Sequence, residues 1–269
     1  MPGSGASPKW RAVTGPESTI IGCMTRVAFE RAARLSVACI LLFAGCSEDS
    51  APVAAGTPRP TRAVSVRMLA LGDSYTSGES VPQTKSWPYQ LADSLLEDSV
   101  RVTALKVVAH TGWTTADLIV ALNKTTLTPP YDLVTLQIGV NNQFSGVPFE
   151  VFQEEFPELV TRATTLAGDH PDHVVVLTIP DYSLTPVGQR LDPDQTRSEI
   201  DSYNGFIAAT LDSTPISLIN VTDLSRTVAD DSSLVARDGL HYSGKMYAAW
   251  VELIRPVVAA LFGRGTAGK

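Results

Sequence analysis

Five short apolar runs, separated by longer amphipathic stretches, constrain this chain more than any other feature. The runs are VRMLAL at 66–71, VTALKVVA at 102–109, LVTLQI at 133–138, HVVVLTI at 173–179 and ISLINV at 216–221. Three of them are nearly continuous Val, Leu and Ile, the composition of strands buried on both faces. Between and after them lie patterns of helical period at 87–97, 114–124, 149–167, 196–212 and 243–262. Strand–helix alternation of this kind requires crossovers, and it predicts an α/β fold in three layers, α/β/α, around a central five-stranded parallel sheet. The crossovers should be right-handed. No internal repeat or second change of composition interrupts residues 66–263, which are read as one domain.

The N-terminal quarter has a different character. Residues 24–45 carry Arg26, Arg31 and Arg34 before an apolar run from Leu35 to Gly45. That run is shorter than the roughly 20 residues a spanning helix needs, and a basic segment before a short apolar one is the pattern of an export signal. It ends in Leu42-Phe43-Ala44-Gly45-Cys46, which resembles a bacterial lipobox at Ala44, Gly45 and Cys46 and departs from it at Phe43. The expectation is a lipoprotein signal at 24–45 and lipidation at Cys46, with residues 1–23 as an upstream extension. A plain signal peptide with an incidental Cys46 is the alternative. Residues 46–65, rich in Pro, Ala, Ser and Gly, suit a flexible tether. The mature protein would then be exported and held by a membrane anchor, facing the periplasm or the cell exterior.

Cys23, Cys39 and Cys46 are the only cysteines, so cleavage would leave Cys46 alone and exclude an intramolecular disulfide or a cysteine-based metal site. A net charge of −7 with no Lys/Arg cluster after residue 70 argues against a nucleic-acid partner.

In sheets of this type chemistry gathers where the chain leaves the carboxyl ends of strands. Gly72-Asp73-Ser74 follows the first run, and a serine there can serve as a nucleophile or simply cap a helix. His110-Thr111-Gly112 follows the second, and Gly112 allows close approach of a backbone N–H to a ligand. Gly139-Val140-Asn141-Asn142 follows the third, offering a side-chain amide donor or an ordinary Asn-rich turn. Before the last helix, Asp238-Gly239-Leu240-His241 can set a carboxylate against one ring nitrogen, leaving the other to take a serine proton. Of the remaining histidines, His170 and His173 read as structural, and His110 has no Asp at comparable spacing.

These four blocks, in this order and spacing, resemble the GDSL/SGNH hydrolase family over about residues 66–262. The marked Ser, Gly, Asn and His of that family fall on Ser74, Gly112, Asn141 and His241. The stretches IGVNNQFSG, VLTIPDYSLTPVG and DGLHYSGKMYAAW are similar to a bacterial branch of it. The resemblance implies a flavodoxin-like sheet and a serine esterase. Ser74 would be its nucleophile, His241 its base and Asp238 the orienting acid. The oxyanion hole would comprise the N–H groups of Ser74 and Gly112 and the Asn141 amide. It implies no metal and no cofactor. One departure is Asn142, where the family usually has Asp. The Gly-x-Ser-x-Gly elbow of the main rival serine-hydrolase fold is absent around Ser74.

The substrate is expected to be a small ester or an acylated glycan or lipid, and the protein a monomer. Near the site, 181–195 carries few bulky apolar residues, 143–148 is short and 79–86 is mostly polar or small, which predicts short, acetyl-like acyl groups. The alternatives are an acyltransferase with the same residues and a surface glycan-binding protein without turnover.

Overall fold

The computed structural model describes residues 63–263; the expected extension, signal, Cys46 and most of the tether lie outside them. Five strands run in chain order: β1 Val64–Gly72, β2 Val100–Ala109, β3 Leu133–Gln137, β4 Val174–Leu177 and β5 Ser217–Ile219. All pair in parallel, in the spatial order β2-β1-β3-β4-β5. The expected three-layer α/β fold is therefore the one observed. β3 and β4 are buried at every residue, whereas β2, at an edge, alternates and exposes Arg101 and Thr103.

Helices fill both faces. α1 (Ser74–Ser77) and α2 (Trp87–Ser94) follow β1, and α3 (Thr115–Lys124) follows β2. α4 (Val140–Phe144) and α5 (Phe149–Leu166) follow β3, and α6 (Pro193–Leu211) follows β4. α7 (Thr222–Ser225) and α8 (Gly244–Gly263) close the chain. α2 packs on α8, while α5 packs on α3 and α6. By length and composition α8 could cross a membrane. Its residues Met246, Tyr247, Trp250, Val251, Ile254 and Val258 instead form one helical stripe buried in the core.

The differences from the sequence reading have local causes. β1 begins at Val64, inside the expected tether, because Val64–Val66 pair with Val100–Val102. β4 stops short of Ile179, whose N–H and C=O are both taken by the Asn204 side chain rather than by a neighbouring strand. β5 stops before Val221 because the N–H groups of Val221 and Thr222 turn onto the Thr178 hydroxyl. α6 starts three residues early, capped by Asp192, which accepts the Gln195 N–H at 3.0 Å, with Pro193 as its first residue.

β1 lies between β2 and β3, so chain order reverses around it. Segments leaving adjacent strands there diverge and open a crevice at their carboxyl ends. The blocks after β1, β2 and β3 border that crevice.

Candidate active site

β1 ends at Gly72, and Asp73 caps α1 by accepting the Tyr75 N–H at 3.0 Å. Ser74 is the first residue of α1, so its own N–H has no acceptor within the helix. Only 3% of Ser74 is exposed.

Its hydroxyl meets a residue 167 positions away: Ser74 Oγ lies 3.0 Å from His241 Nε2. On the other side of the ring, His241 Nδ1 lies 2.6 Å from Asp238 Oδ2. A proton on Nδ1 donated to the carboxylate leaves Nε2 as the acceptor for the serine O–H. The Tyr75 ring meets His241 edge-on at 5.6 Å. Tyr242, the next residue, is fully buried and donates its hydroxyl to the Asp181 carbonyl at 2.7 Å. The imidazole is thus fixed from both its neighbour in sequence and its neighbour in space.

Asp238 Oδ1 accepts the N–H groups of Leu240 and His241 at 2.9 and 3.0 Å. Burial pushes its carboxyl up, but the Ser80 hydroxyl, the Leu240 N–H and the His241 ring and N–H outweigh that and hold it at about 2. The group is therefore a carboxylate across the neutral range, as an orienting acid must be.

The other two marked residues border the same space. Gly112 has φ +84°, a conformation that favours glycine, although a Cβ would meet nothing within 4 Å; the backbone, not crowding, calls for glycine here. Asn141, in the first turn of α4, donates Nδ2 to the Trp113 carbonyl at 2.9 Å. That bond ties α4 to the loop that carries Gly112, and the amide keeps a second N–H. Gly139, at φ +125°, turns the chain from β3 into α4 where any Cβ would lie 2.5 Å from Phe152 Cε2.

Asn142 is wholly buried and faces away from this chemistry. Its Oδ1 accepts the Thr115 N–H at 3.0 Å and its Nδ2 donates to Thr115 Oγ1 at 2.7 Å. Thr115 Oγ1 in turn bonds Glu155. An Asp at 142 would set Thr115 between two carboxylates, so the amide suits the Glu155 present in this chain.

Ser74, Gly112, Asn141 and His241 line one cleft of about 270 Å³, walled by Val140, Phe144, Tyr182 and Leu240. A carbonyl held there would lie beside a hydroxyl with an imidazole nitrogen behind it, an arrangement that suits acyl transfer. His110 is exposed and stacks on Trp113 at 5.6 Å. His170 and His173 stack on each other at the amino end of β4, the opposite end of the sheet from the cleft.

Sequence reasoning missed Phe144, Tyr182 and Ser80. Tyr182 stands in a stretch read as poor in bulky apolar residues, and Phe144 in a loop read only as short. Phe144 and Tyr182 face each other at 5.7 Å across segments 38 residues apart, a pairing with no local signature.

The model of the GDSL-like Lipase/Acylhydrolase family matches residues 70–249. An arylesterase of Vibrio mimicus is 31% identical over 115 residues, which cover 43% of this chain and 55% of that enzyme, so the match spans little more than half its length. Among solved structures, the lipase/acylhydrolase from Enterococcus faecalis superposes with a TM-score of 0.59 at 20% identity, covering 72% of this chain and 96% of that one. The family 3 carbohydrate esterase of Clostridium thermocellum gives 0.58 at 18% identity, covering 76% and 100%.

Proposed function

The chain belongs to the GDSL-like lipase/acylhydrolase family, and on that footing we propose that it hydrolyses carboxylic esters with small acyl groups, through Ser74, His241 and Asp238. His241 Nε2 takes the serine proton as Oγ attacks the ester carbonyl. The oxyanion is met by the N–H groups of Ser74 and Gly112 and the Asn141 amide. The protonated imidazole, oriented by Asp238, gives its proton to the leaving alcohol. Water then repeats the sequence, activated by the same nitrogen, and releases the acid. No metal or cofactor enters.

The observation that carries this reading is the line Ser74–His241–Asp238, with distances of 3.0 and 2.6 Å, opening on a cleft that Gly112 and Asn141 also border. Ser74→Ala should lower hydrolysis of an activated short-chain ester by at least about 10³-fold with the fold intact. A fluorophosphonate probe should label wild type at Ser74 and leave the variant untouched. Undiminished hydrolysis by the variant would end the proposal.

Export and anchoring belong to the same reading, supported by the basic and apolar segments before Ala44-Gly45-Cys46. Two acyl chains, at about 0.8 kcal/mol per buried CH₂, suffice for stable attachment. Cys46→Ser should move the domain from the membrane to the soluble fraction at unchanged specific activity. Wild type recovered from a bacterial host soluble and without lipid would refute it.

A further inference from the structure

The base end of the proposed triad lies near the surface, with 30% of the Asp238 side chain exposed. A carboxylate in that setting orients a histidine only if its own position is fixed. Two bonds to Oδ1 come from its own turn, the N–H groups of Leu240 and His241. The second oxygen, the one that faces the imidazole, has a partner 158 residues away: Ser80 Oγ donates to Asp238 Oδ2 at 2.5 Å. With His241 Nδ1 on the same oxygen, four donors surround the carboxylate, about as many as its lone pairs accept.

Ser80 is held in an unusual way. Its φ is +64°, a region L residues seldom adopt. It follows Gly78, at φ +79°, in a turn whose Gly78 and Glu79 N–H groups both bond the Ser74 carbonyl at 3.0 Å. The Glu79 side chain bonds Thr111, the neighbour of Gly112. The turn is therefore referenced to the nucleophile's own backbone and reaches both flanking loops.

We infer that Ser80 is a positioning residue for the reaction: its hydroxyl closes nucleophile, base and carboxylate into a ring with the turn that leaves Ser74. The ring runs from Ser74 Oγ to His241, to Asp238 Oδ2, to Ser80 Oγ, and back through the Glu79 N–H to the Ser74 carbonyl. One segment, Ser74–Ser80, thereby sets both ends of the line, and a shift of the surface loop that carries Asp238 must stretch a bond to it. The inference rests on the triad reading above. The low position of the Asp238 carboxyl, to which the Ser80 hydroxyl contributes, agrees with it.

The test separates hydroxyl from backbone. Ser80→Gly keeps the left-handed turn without strain and removes the hydroxyl, while Ser80→Ala removes the hydroxyl and leaves the strain. Both should lower kcat on a short-chain activated ester about tenfold, with KM within about twofold. In an Asp238→Ala background Ser80→Gly should cost nothing further, since a residue acting through Asp238 has no partner left. A kcat for Ser80→Gly equal to wild type, a loss confined to KM, or an equal loss in the Asp238→Ala background would each overturn the inference. The downfield proton resonance of His241 Nδ1 reads the same geometry without turnover, and Ser80→Gly should hasten its exchange with water. If that resonance responds while wild type hydrolyses no ester, the ester reading fails and the positioning role stands. If wild type is active and neither resonance nor kcat responds, the positioning role fails alone.

Discussion

Asp73 precedes Ser74 and Asp238 ends the line that runs from Ser74 through His241, and their surroundings drive the two carboxyls in opposite directions. Asp73 is 1% exposed; burial raises its carboxyl from 3.8 to about 7, against partial relief from backbone N–H groups including that of Tyr75. Asp238 is nearer to solvent and carries more donors, and its carboxyl is held at about 2. The difference teaches that donors aimed at the charge, more than residue type or position beside Ser74, decide which carboxyl stays ionised. Asp73 caps the helix that presents Ser74, a task an uncharged acceptor also performs. In the proposed triad Asp238 must be an anion.

Asparagine at each position breaks or sustains that contrast. In Asp238→Asn an amide N–H can face Nδ1, which drives the imidazole proton to Nε2, where it cannot accept from Ser74. Turnover should fall about 10³–10⁴-fold with little change in unfolding. Asp73→Asn retains an acceptor for the Tyr75 N–H, so its turnover should stay within about tenfold of wild type. Its effect belongs to stability. With the folded-state pKa raised, the protonated Asp73 contributes stability fully below 3.8 and loses it as pH rises through about 7. At about 1.4 kcal/mol per pH unit, that interval corresponds to roughly 4 kcal/mol. Urea unfolding should therefore find Asp73→Asn close to wild type at pH 4 and more stable at pH 8. Equal turnover losses in the two variants would collapse the distinction.

A smaller effect repeats the contrast at adjacent positions. Asn141 borders the cleft, whereas Asn142 is buried with both ends of its amide on Thr115. Asn141→Ala removes a proposed oxyanion donor and should cost about 10²–10³ in turnover with modest change in KM. Asn142→Ala leaves the Thr115 N–H without its acceptor and should instead cost about 1–3 kcal/mol of stability. Steady-state kinetics beside thermal unfolding would rank the two, and the opposite ranking would move the oxyanion role to Asn142.

Much of this was legible in the sequence because burial writes itself locally. The near-continuous apolar runs that became β3 and β4 could hardly be anything but strands covered on both sides. What failed was at the ends of β4 and β5, where Asn204 and Thr178 replace ladder bonds by side-chain bonds to Ile179, Val221 and Thr222. No periodicity announces such a replacement. In the site, Ser74, Gly112 and Asn141 could be picked out because each follows a strand, and Asp238 because it sits three residues before His241. Their roles came from the family resemblance rather than from spacing. Ser80 was invisible for the opposite reason: its one informative contact joins residues 158 apart.

The smallest expected effect carries the contrast between a buried and an exposed end into the substrate. The cleft of about 270 Å³ falls below the roughly 300–1,000 Å³ of pockets that enclose drug-sized ligands. Its apolar walls are short, for Phe144 is 49% exposed and the Tyr182 hydroxyl is committed to Gln143 at 2.8 Å. The Glu79–Ser86 segment does not extend them, since Glu79 and Ser80 are spent on Thr111 and Asp238. A short acyl group therefore finds cover beside Ser74, while later carbons of a long one pass Phe144 into solvent. A fully buried methylene would contribute about 0.8 kcal/mol, or roughly fourfold in kcat/KM. Carbons left in water contribute almost none of that and still lose freedom on binding. Across acetyl, butyryl, octanoyl and decanoyl esters of one leaving group, kcat/KM should peak at acetyl or butyryl and fall several-fold by decanoyl. Phe144→Ala should lower the butyryl and longer esters by a similar factor and the acetyl ester less, because the ring shields only the first few carbons, which acetyl lacks. A steady climb with chain length in wild type would mean that the exposed end closes over lipid-like chains, and the contrast would not extend to the substrate.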